Sequence, residues 1–264
     1  MNKLACAIAV AALIGTPAFA ADMAVKAPPP APPVAPVFDW TGFYVGGNAG
    51  GGWGNNCWTF VDTIPPGNVS AGKFDGCYGT SGGIAGGQIG ASWQRGTWVF
   101  GVEFSGDWAN LTGSRNSPIT ATNDLISTKV TSMELLTGRV GYAWNNLQIY
   151  AEGGGAWVNE NYARALGVAA FGFPAGTTFA TTSETRVGWT IGAGLEYGFA
   201  PNWSVGLEYD YIGLGTRRVT FPINAAGMAM GFSPAFLQDI RQNDNLLDVR
   251  LNYRFGAGLL TGSH

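Results

Sequence analysis

Residues 247–255 read L-D-V-R-L-N-Y-R-F. Taken two at a time, they put Leu247, Val249, Leu251, Tyr253 and Phe255 on one side and Asp248, Arg250, Asn252 and Arg254 on the other. Side chains along a β-strand alternate between faces, so one face is wholly apolar or aromatic and the other wholly polar. Three charges in a row of four need water or opposite charges beside them, and the apolar face needs an oily partner. A strand that turns its apolar side to lipid and its charges to a lumen meets both demands; it is the unit of a transmembrane β-barrel.

Seven further stretches carry the same alternation. Residues 39–53 set Phe43, Val45 and Ala49 against Tyr44, Gly46 and Asn48, and residues 82–94 set Ala85, Ile89, Ala91 and Trp93 against Gln88, Ser92 and Gln94. The third places Trp98, Phe100, Val102, Phe104 and Trp108 outward with Glu103, Ser105 and Asp107 inward. The fourth, 127–144, turns Val130, Leu136, Val140 and Trp144 outward and Lys129, Thr131, Thr137 and Arg139 inward, which leaves Glu134 on the lipid side. A charge at mid-membrane on that side costs roughly 2–4 kcal/mol, so a bulge near 135–136, or a level above the lipid, is expected for Glu134. In the fifth, Leu147, Ile149, Ala151 and Trp157 oppose Gln148, Tyr150 and Glu152; in the sixth, 184–199, Val187, Trp189, Ile191 and Leu195 oppose Arg186, Thr190 and Glu196; in the seventh, Trp203, Val205, Leu207 and Tyr209 oppose Ser204, Glu208 and Asp210.

Connections alternate in length. Those near Arg95, Asn145 and Pro201 are short, and those over 54–81, 111–126, 164–183 and 219–243 are long. The fold class expected is therefore all-β: an eight-stranded antiparallel up-and-down transmembrane β-barrel over 39–255, with short periplasmic turns and long external loops. Trp40, Trp53, Trp93, Trp98, Trp108, Trp144, Trp157 and Trp203 fall at strand ends, as two interfacial girdles require.

Bulk composition agrees. Only 12% of the 264 residues are charged, about half the usual 25% of soluble domains, and no internal run reaches the roughly 18 apolar residues of a membrane helix. A net charge of −3 without a basic stripe excludes nucleic acid as a partner. Residues 1–20 carry Lys3, an apolar run and the small-residue site Ala18-Phe19-Ala20, which together read as a cleaved secretory signal peptide. Residues 21–38 form a Pro-rich periplasmic linker, whose sharper reading is peptidoglycan contact, and 256–264 a periplasmic tail.

Export removes Cys6 and leaves Cys57 and Cys77, which an oxidising compartment pairs within the first external loop; two separate thiols are the other reading. The interior positions collect Glu103, Asp107, Glu152, Glu196, Glu208, Asp210 and Asp248 against Lys129, Arg139, Arg186, Arg250 and Arg254. Eight strands leave a bore that side chains fill, so a paired charged network is expected, with a narrow ion path as the alternative. The single histidine, His264, lies in the tail, and no metal-ligand spacing or phosphate loop is present; no catalytic residue, metal or cofactor is expected. A soluble lipocalin-type barrel would show the opposite alternation.

With the D-W-T-G-F-Y-V-G-G opening at Asp39 and the V-R-L-N-Y-R-F close at Val249, the chain resembles the opacity-protein-like outer-membrane β-barrel family of alphaproteobacteria, small surface antigens often labelled "porin family". The resemblance implies an outer-membrane location in a Gram-negative envelope, lipid and lipopolysaccharide as surroundings, and recognition by the barrel-assembly machinery through Tyr253 and Phe255. It also implies a structural or surface-interaction role, host contact included. A small porin passing ions or solutes is the alternative. Two external segments are apolar, around Phe171 and Phe173 and around Met228, Met230, Phe232 and Phe236, and suggest a surface for a hydrophobic ligand or partner.

Overall fold

The computed structural model describes residues 38–255. The export signal, the spacer through residue 37 and the tail after Phe255 lie outside the described residues. Eight strands follow one another: β1 (Gly42–Ile64), β2 (Phe74–Arg95), β3 (Trp98–Asn116), β4 (Leu125–Trp144), β5 (Leu147–Ala165), β6 (Thr178–Ala200), β7 (Trp203–Pro222) and β8 (Ala235–Phe255). Each pairs antiparallel with its neighbour in sequence, and β8 returns to β1, so the sheet closes. Closure removes the unpaired strand edges that hydrocarbon cannot satisfy. A short helix, α1 (Ala225–Ala229), lies between β7 and β8, with Asn224 as its N-cap accepting from the Gly227 amide.

In the half of the barrel near the short turns, Val102, Phe104, Val140, Ile191, Leu195, Val249 and Leu251 are exposed, while Glu103, Arg139, Glu196, Asp248 and Arg250 are buried. Trp98, Trp144, Tyr197, Phe199 and Trp203 ring the lower end of this apolar surface, and Trp53, Trp108, Trp157, Trp189 and Tyr209 its upper end. Trp98 to Trp108 is ten steps along β3; at ~3.3 Å per residue and a tilt near 40° the band is about 25 Å tall, the height of an outer-membrane hydrocarbon layer. Trp40 is not part of a girdle. It lies inside the lumen, fully buried against Phe38 at a centroid distance of 4.5 Å. The backbone carbonyl of Trp40 accepts from Arg254 Nη1 at 2.8 Å, and together they plug the periplasmic end.

The strands continue well above the upper girdle, and much of what the sequence reads as long loop is strand. The external connections shrink to 65–73, 117–124, 166–177 and 223–234. Here the pattern inverts: Trp58, Phe60, Tyr162, Phe221 and Ile240 pack inward in one apolar cluster, and Lys129, Asn161, Thr185, Arg218 and Arg241 face out. Once a strand leaves lipid for water, the hydrophobic effect asks for the opposite orientation. Register irregularities help reset it. At the β3–β4–β5 junction the pairing slips between Val130 and Ser132, so Val130 turns inward and Lys129 outward, against the expectation that Lys129 joins the interior network. The irregularity sits at Thr131 rather than 135–136, and Glu134 lies level with Trp157 at the upper girdle, bonded to Ser132 at 3.0 Å and Asn159 at 3.3 Å.

Cys57 and Cys77 form a disulfide, but not within a loop: they are register partners on β1 and β2, Cα atoms 4.0 Å apart, on the outer face of the upper half. One seam of the upper half is open. Pairing between β6 and β7 stops at Trp189–Gly213, although β6 stays paired to β5 up to Thr178 and β7 to β8 up to Pro222. Arg186 crosses the gap, donating from Nη2 to the Gly215 carbonyl at 2.9 Å and the Leu214 carbonyl at 3.2 Å. At the top, an isolated bridge between Ala180 and Ile223 rejoins the edges.

Two outcomes follow from this packing. A methyl on Gly50 would meet the Leu247 carbonyl oxygen at 2.1 Å and Asp248 Cα at 2.6 Å across the closing β1–β8 pair. Gly50→Ala is therefore expected to destabilise the refolded barrel by about 1–3 kcal/mol, read as a lower urea midpoint by tryptophan fluorescence. The Cys57–Cys77 bridge closes a loop of sequence separation 20, worth about 3 kcal/mol in the chain-entropy model. Cys57→Ser with Cys77→Ser is expected to lower the temperature at which gel mobility shifts to the unfolded form, with reductant having no further effect on the variant.

Candidate functional site

The lumen is a stack of layers. The central one is built around a ring from β3, β4, β7 and β8, joined by side chains of β1 and β5. Arg139 donates from Nη2 to Glu103 at 2.7 Å and to Glu208 at 2.6 Å, and from Nε to Glu152 at 2.5 Å. Arg250 donates to the same two glutamates, at 2.9 Å to Glu103 and by a close contact to Glu208, and from Nε to Asp248 at 3.3 Å. Two arginines and two glutamates thus make a closed ring that ties opposite walls together. Tyr44 donates its hydroxyl to Glu103 at 2.7 Å and Tyr150 to Glu208 at 2.5 Å, and Arg139 lies 4.6 Å from the centre of the Tyr150 ring. Such charge-assisted bonds are the strong ones, and in a dry lumen each is screened little. Asp107 and Asp210 are buried in the same layer.

Below the ring, Arg254 bonds Trp40 and Ser92, and Glu196 accepts from Asn252 at 3.0 Å and lies 3.9 Å from Arg254. Above it lies an apolar septum in which Leu111, Met133, Ala156, Val158 and Ile212 are completely buried. A third polar layer follows, separate from the central ring: Arg186 donates to Gln242 at 3.2 Å, and Gln242 donates to Glu160 at 2.5 Å and to Asp244 at 2.9 Å. The upper apolar cluster around Trp58 caps it. A last ionic cluster sits above that, with Arg164 donating to Asp124 at 3.2 Å and to Asp75 at 3.1 Å.

The interior residues read from sequence, other than Lys129, are all buried, but they belong to three layers and not one network. The alternation also contained Tyr44 and Tyr150, which complete the central ring. Asp75, Asp124 and Arg164 lie in stretches read as loop, and Glu160 and Asp244 lie between those stretches and the strand positions read from the alternation. The signal that finds some of them is the parity running from Tyr44 and Asn48 through Asn56, Trp58 and Phe60 on β1, unbroken past the girdle.

Of the external apolar residues, Met230 and Phe236 are buried in the upper cluster, with Phe173 and Phe232 packed on it. Phe171 and Met228 remain exposed, Phe171 edge-on to Phe232 at 5.4 Å. Between the loops a cavity of about 510 Å³ opens outward. The loop over 65–73 at its rim is set by Asp62, above the membrane, whose carboxylate accepts from the Asn68 amide at 3.0 Å, the Thr63 amide at 2.7 Å and the Gly67 amide at 3.1 Å. Those amides, Asn68 first, hold its pKa below the ordinary aspartate value. At the other end of the molecule Tyr253 and Phe255 stack edge-on at 5.0 Å on the outer face, Tyr253 also against Trp203 at 5.1 Å.

Comparison with known proteins agrees with this architecture. Residues 6–255 match the family model described as an outer membrane protein beta-barrel domain. A 31 kDa outer-membrane immunogenic protein of Brucella melitensis is 34% identical over 253 residues, covering 93% of this chain and 97% of the relative. A 25 kDa outer-membrane immunogenic protein of Brucella abortus is 31% identical over 202 residues, covering 76% and 78%. Among solved structures, the outer membrane protein OprG from Pseudomonas aeruginosa superposes with a TM-score of 0.50 at 8% identity, covering 81% of this chain and 97% of that one, a likeness of fold alone. Inverted alternation, two aromatic girdles, a closed eight-stranded ring and these relatives converge: the chain is an outer-membrane protein and belongs to the outer membrane protein beta-barrel domain family.

Proposed function

We propose that this barrel is a closed structural element of the envelope that works through its external face, and that it is neither a solute pore nor an enzyme. The observation that carries the reading is the Arg139–Glu103–Arg250–Glu208 ring beneath a dry septum: two barriers of different chemistry in series. A hydrated ion would have to break charge-assisted bonds and then cross an apolar layer, each step unfavourable by itself. The only histidine of the chain is His264, which leaves the lumen without the usual general base. On the outer face, Lys129 and Arg241 stand exposed above the upper girdle, where the phosphates of lipopolysaccharide would lie, and Tyr253 and Phe255 offer the assembly machinery an aromatic edge.

A narrow cation path is the second reading, favoured by one observation. Seven carboxylates (Glu103, Asp107, Glu152, Glu196, Glu208, Asp210 and Asp248) share the central and lower lumen with three guanidinium groups, Arg139, Arg250 and Arg254, among the described residues. Planar-bilayer recording separates the two. The refolded chain is expected to give no stable openings, and sizeable cation-selective steps would replace the closed reading with the porin one. In the same preparation Arg250→Ala is expected to cost about 3–5 kcal/mol, because Glu103, Glu208 and Asp248 each lose a partner in a dry site. An unchanged melting temperature would show that the ring is not what braces the wall.

A further inference from the structure

The cavity of about 510 Å³ at the external mouth falls within the roughly 300–1,000 Å³ of small-molecule sites. Its walls are aromatic: Phe60 from β1, Phe179 from β6, Phe236 from β8 and Phe232 from the connection before β8. Asp124 and Arg164 lie at its inner end. Each of the three nitrogens of Arg164 is already engaged. Nε meets Asp124 at 3.2 Å, Nη2 meets Asp75 and Ser117 Oγ at 3.1 Å, and Nη1 meets the Gln238 amide oxygen at 2.6 Å in the amide orientation that satisfies both its atoms. An anion entering the cup therefore finds no unpartnered guanidinium nitrogen.

The charge left over has the other sign. Asp75 and Asp124 are two carboxylates on one guanidinium, all three buried, so the inner end of the cup carries one negative charge in excess. The ring faces of phenylalanine are electronegative and attract cations, most strongly where water is excluded. The protein itself uses this attraction, for Arg164 lies 5.4 Å from the centre of the Phe236 ring.

We propose that the cup binds a small organic ammonium with an apolar body, its cationic end directed to the Asp124 carboxylate and its body among Phe60, Phe179, Phe232 and Phe236. The volume admits a ligand of one aromatic ring or a short branched chain. A free cation is the occupant, not a phospholipid headgroup, because a phosphate next to the ammonium would meet excess negative charge and no unpartnered guanidinium nitrogen. The inference deepens the reading of the external face as the working surface and rests on it.

The test is calorimetric titration of the refolded full chain in maltoside micelles, which carry no ammonium of their own. Benzyltrimethylammonium is the probe, with benzyl alcohol, benzenesulfonate and phosphocholine as comparisons. Saturable binding of the ammonium is expected, with benzyl alcohol weaker by about tenfold and benzenesulfonate not saturating. Phe232→Leu keeps the bulk and removes the ring, and should weaken the ammonium by about fivefold. Asp124→Asn should narrow the preference for ammonium over benzyl alcohol, and heat-shifted gel mobility shows that each variant is folded. Benzyl alcohol binding as tightly as the ammonium, phosphocholine matching it, an unaffected Phe232→Leu, or no binding of any probe to a folded barrel would each overturn the assignment. None of these results alters the closed-barrel reading, which the bilayer current decides alone.

Discussion

Two guanidinium groups held between two carboxylates in a space without bulk water are the interaction on which the rest of this molecule depends. Arg139 and Arg250 come from β4 and β8, Glu103 and Glu208 from β3 and β7, and each arginine touches both glutamates. The lipid-facing side chains supply no cohesion across the barrel, because hydrocarbon solvates them as well as the protein does. Cross-wall attachment must therefore come from inside, and in a lumen this narrow the groups that reach far enough are long charged side chains and tyrosines. Tyr44 satisfies the Glu103 oxygen that the arginines leave free, and Tyr150 shares a Glu208 oxygen with Arg139.

The upper half obeys a different solvent. There the outside is water and the inside holds Trp58, Tyr162, Phe221 and Ile240, a core of the kind found in soluble proteins. One continuous sheet thus carries two opposite orientations of the same side-chain classes, joined near the upper girdle. On β1 the parity runs through the joint unbroken and only the residue classes exchange faces, whereas on β4 a slip in register at Thr131 decides the placement of Lys129 and Val130. The disulfide staples β1 to β2 on the water side of this joint, where no lipid pressure confines the strands.

The membrane-embedded half was legible in the sequence because its alternation is strict and its turns are short; the pairing of Leu247 through Phe255 with β1 and β7 places each of those side chains on the face its parity assigns. Four stretches were read as loop because the single criterion applied, apolar residues outward, fails once the outside becomes aqueous. Trp58 and Phe60 sit on the parity of Tyr44 and Asn48, so the strand was written there, only with its oily positions inside. Lys129 misled because a one-residue slip exchanges the faces of everything beyond it. The cup could not be read at all: Phe60, Asp124, Phe179 and Phe236 come from four distant segments, and only closure of the ring brings them together.

The seam between β6 and β7 gives the upper half a mechanical character of its own. A tube slit along its length twists far more easily than an intact one, since shear can no longer circulate around the wall. Below Trp189 and Gly213 the wall is intact; above them the cross-ties are Arg186, the Arg217–Glu184 ion pair, the Asn224 bonds to β6 and the Ala180–Ile223 bridge, in place of a continuous ladder. The interrupted ladder therefore lies on the side of the molecule that faces the environment, and the continuous one lies in the part gripped by lipid.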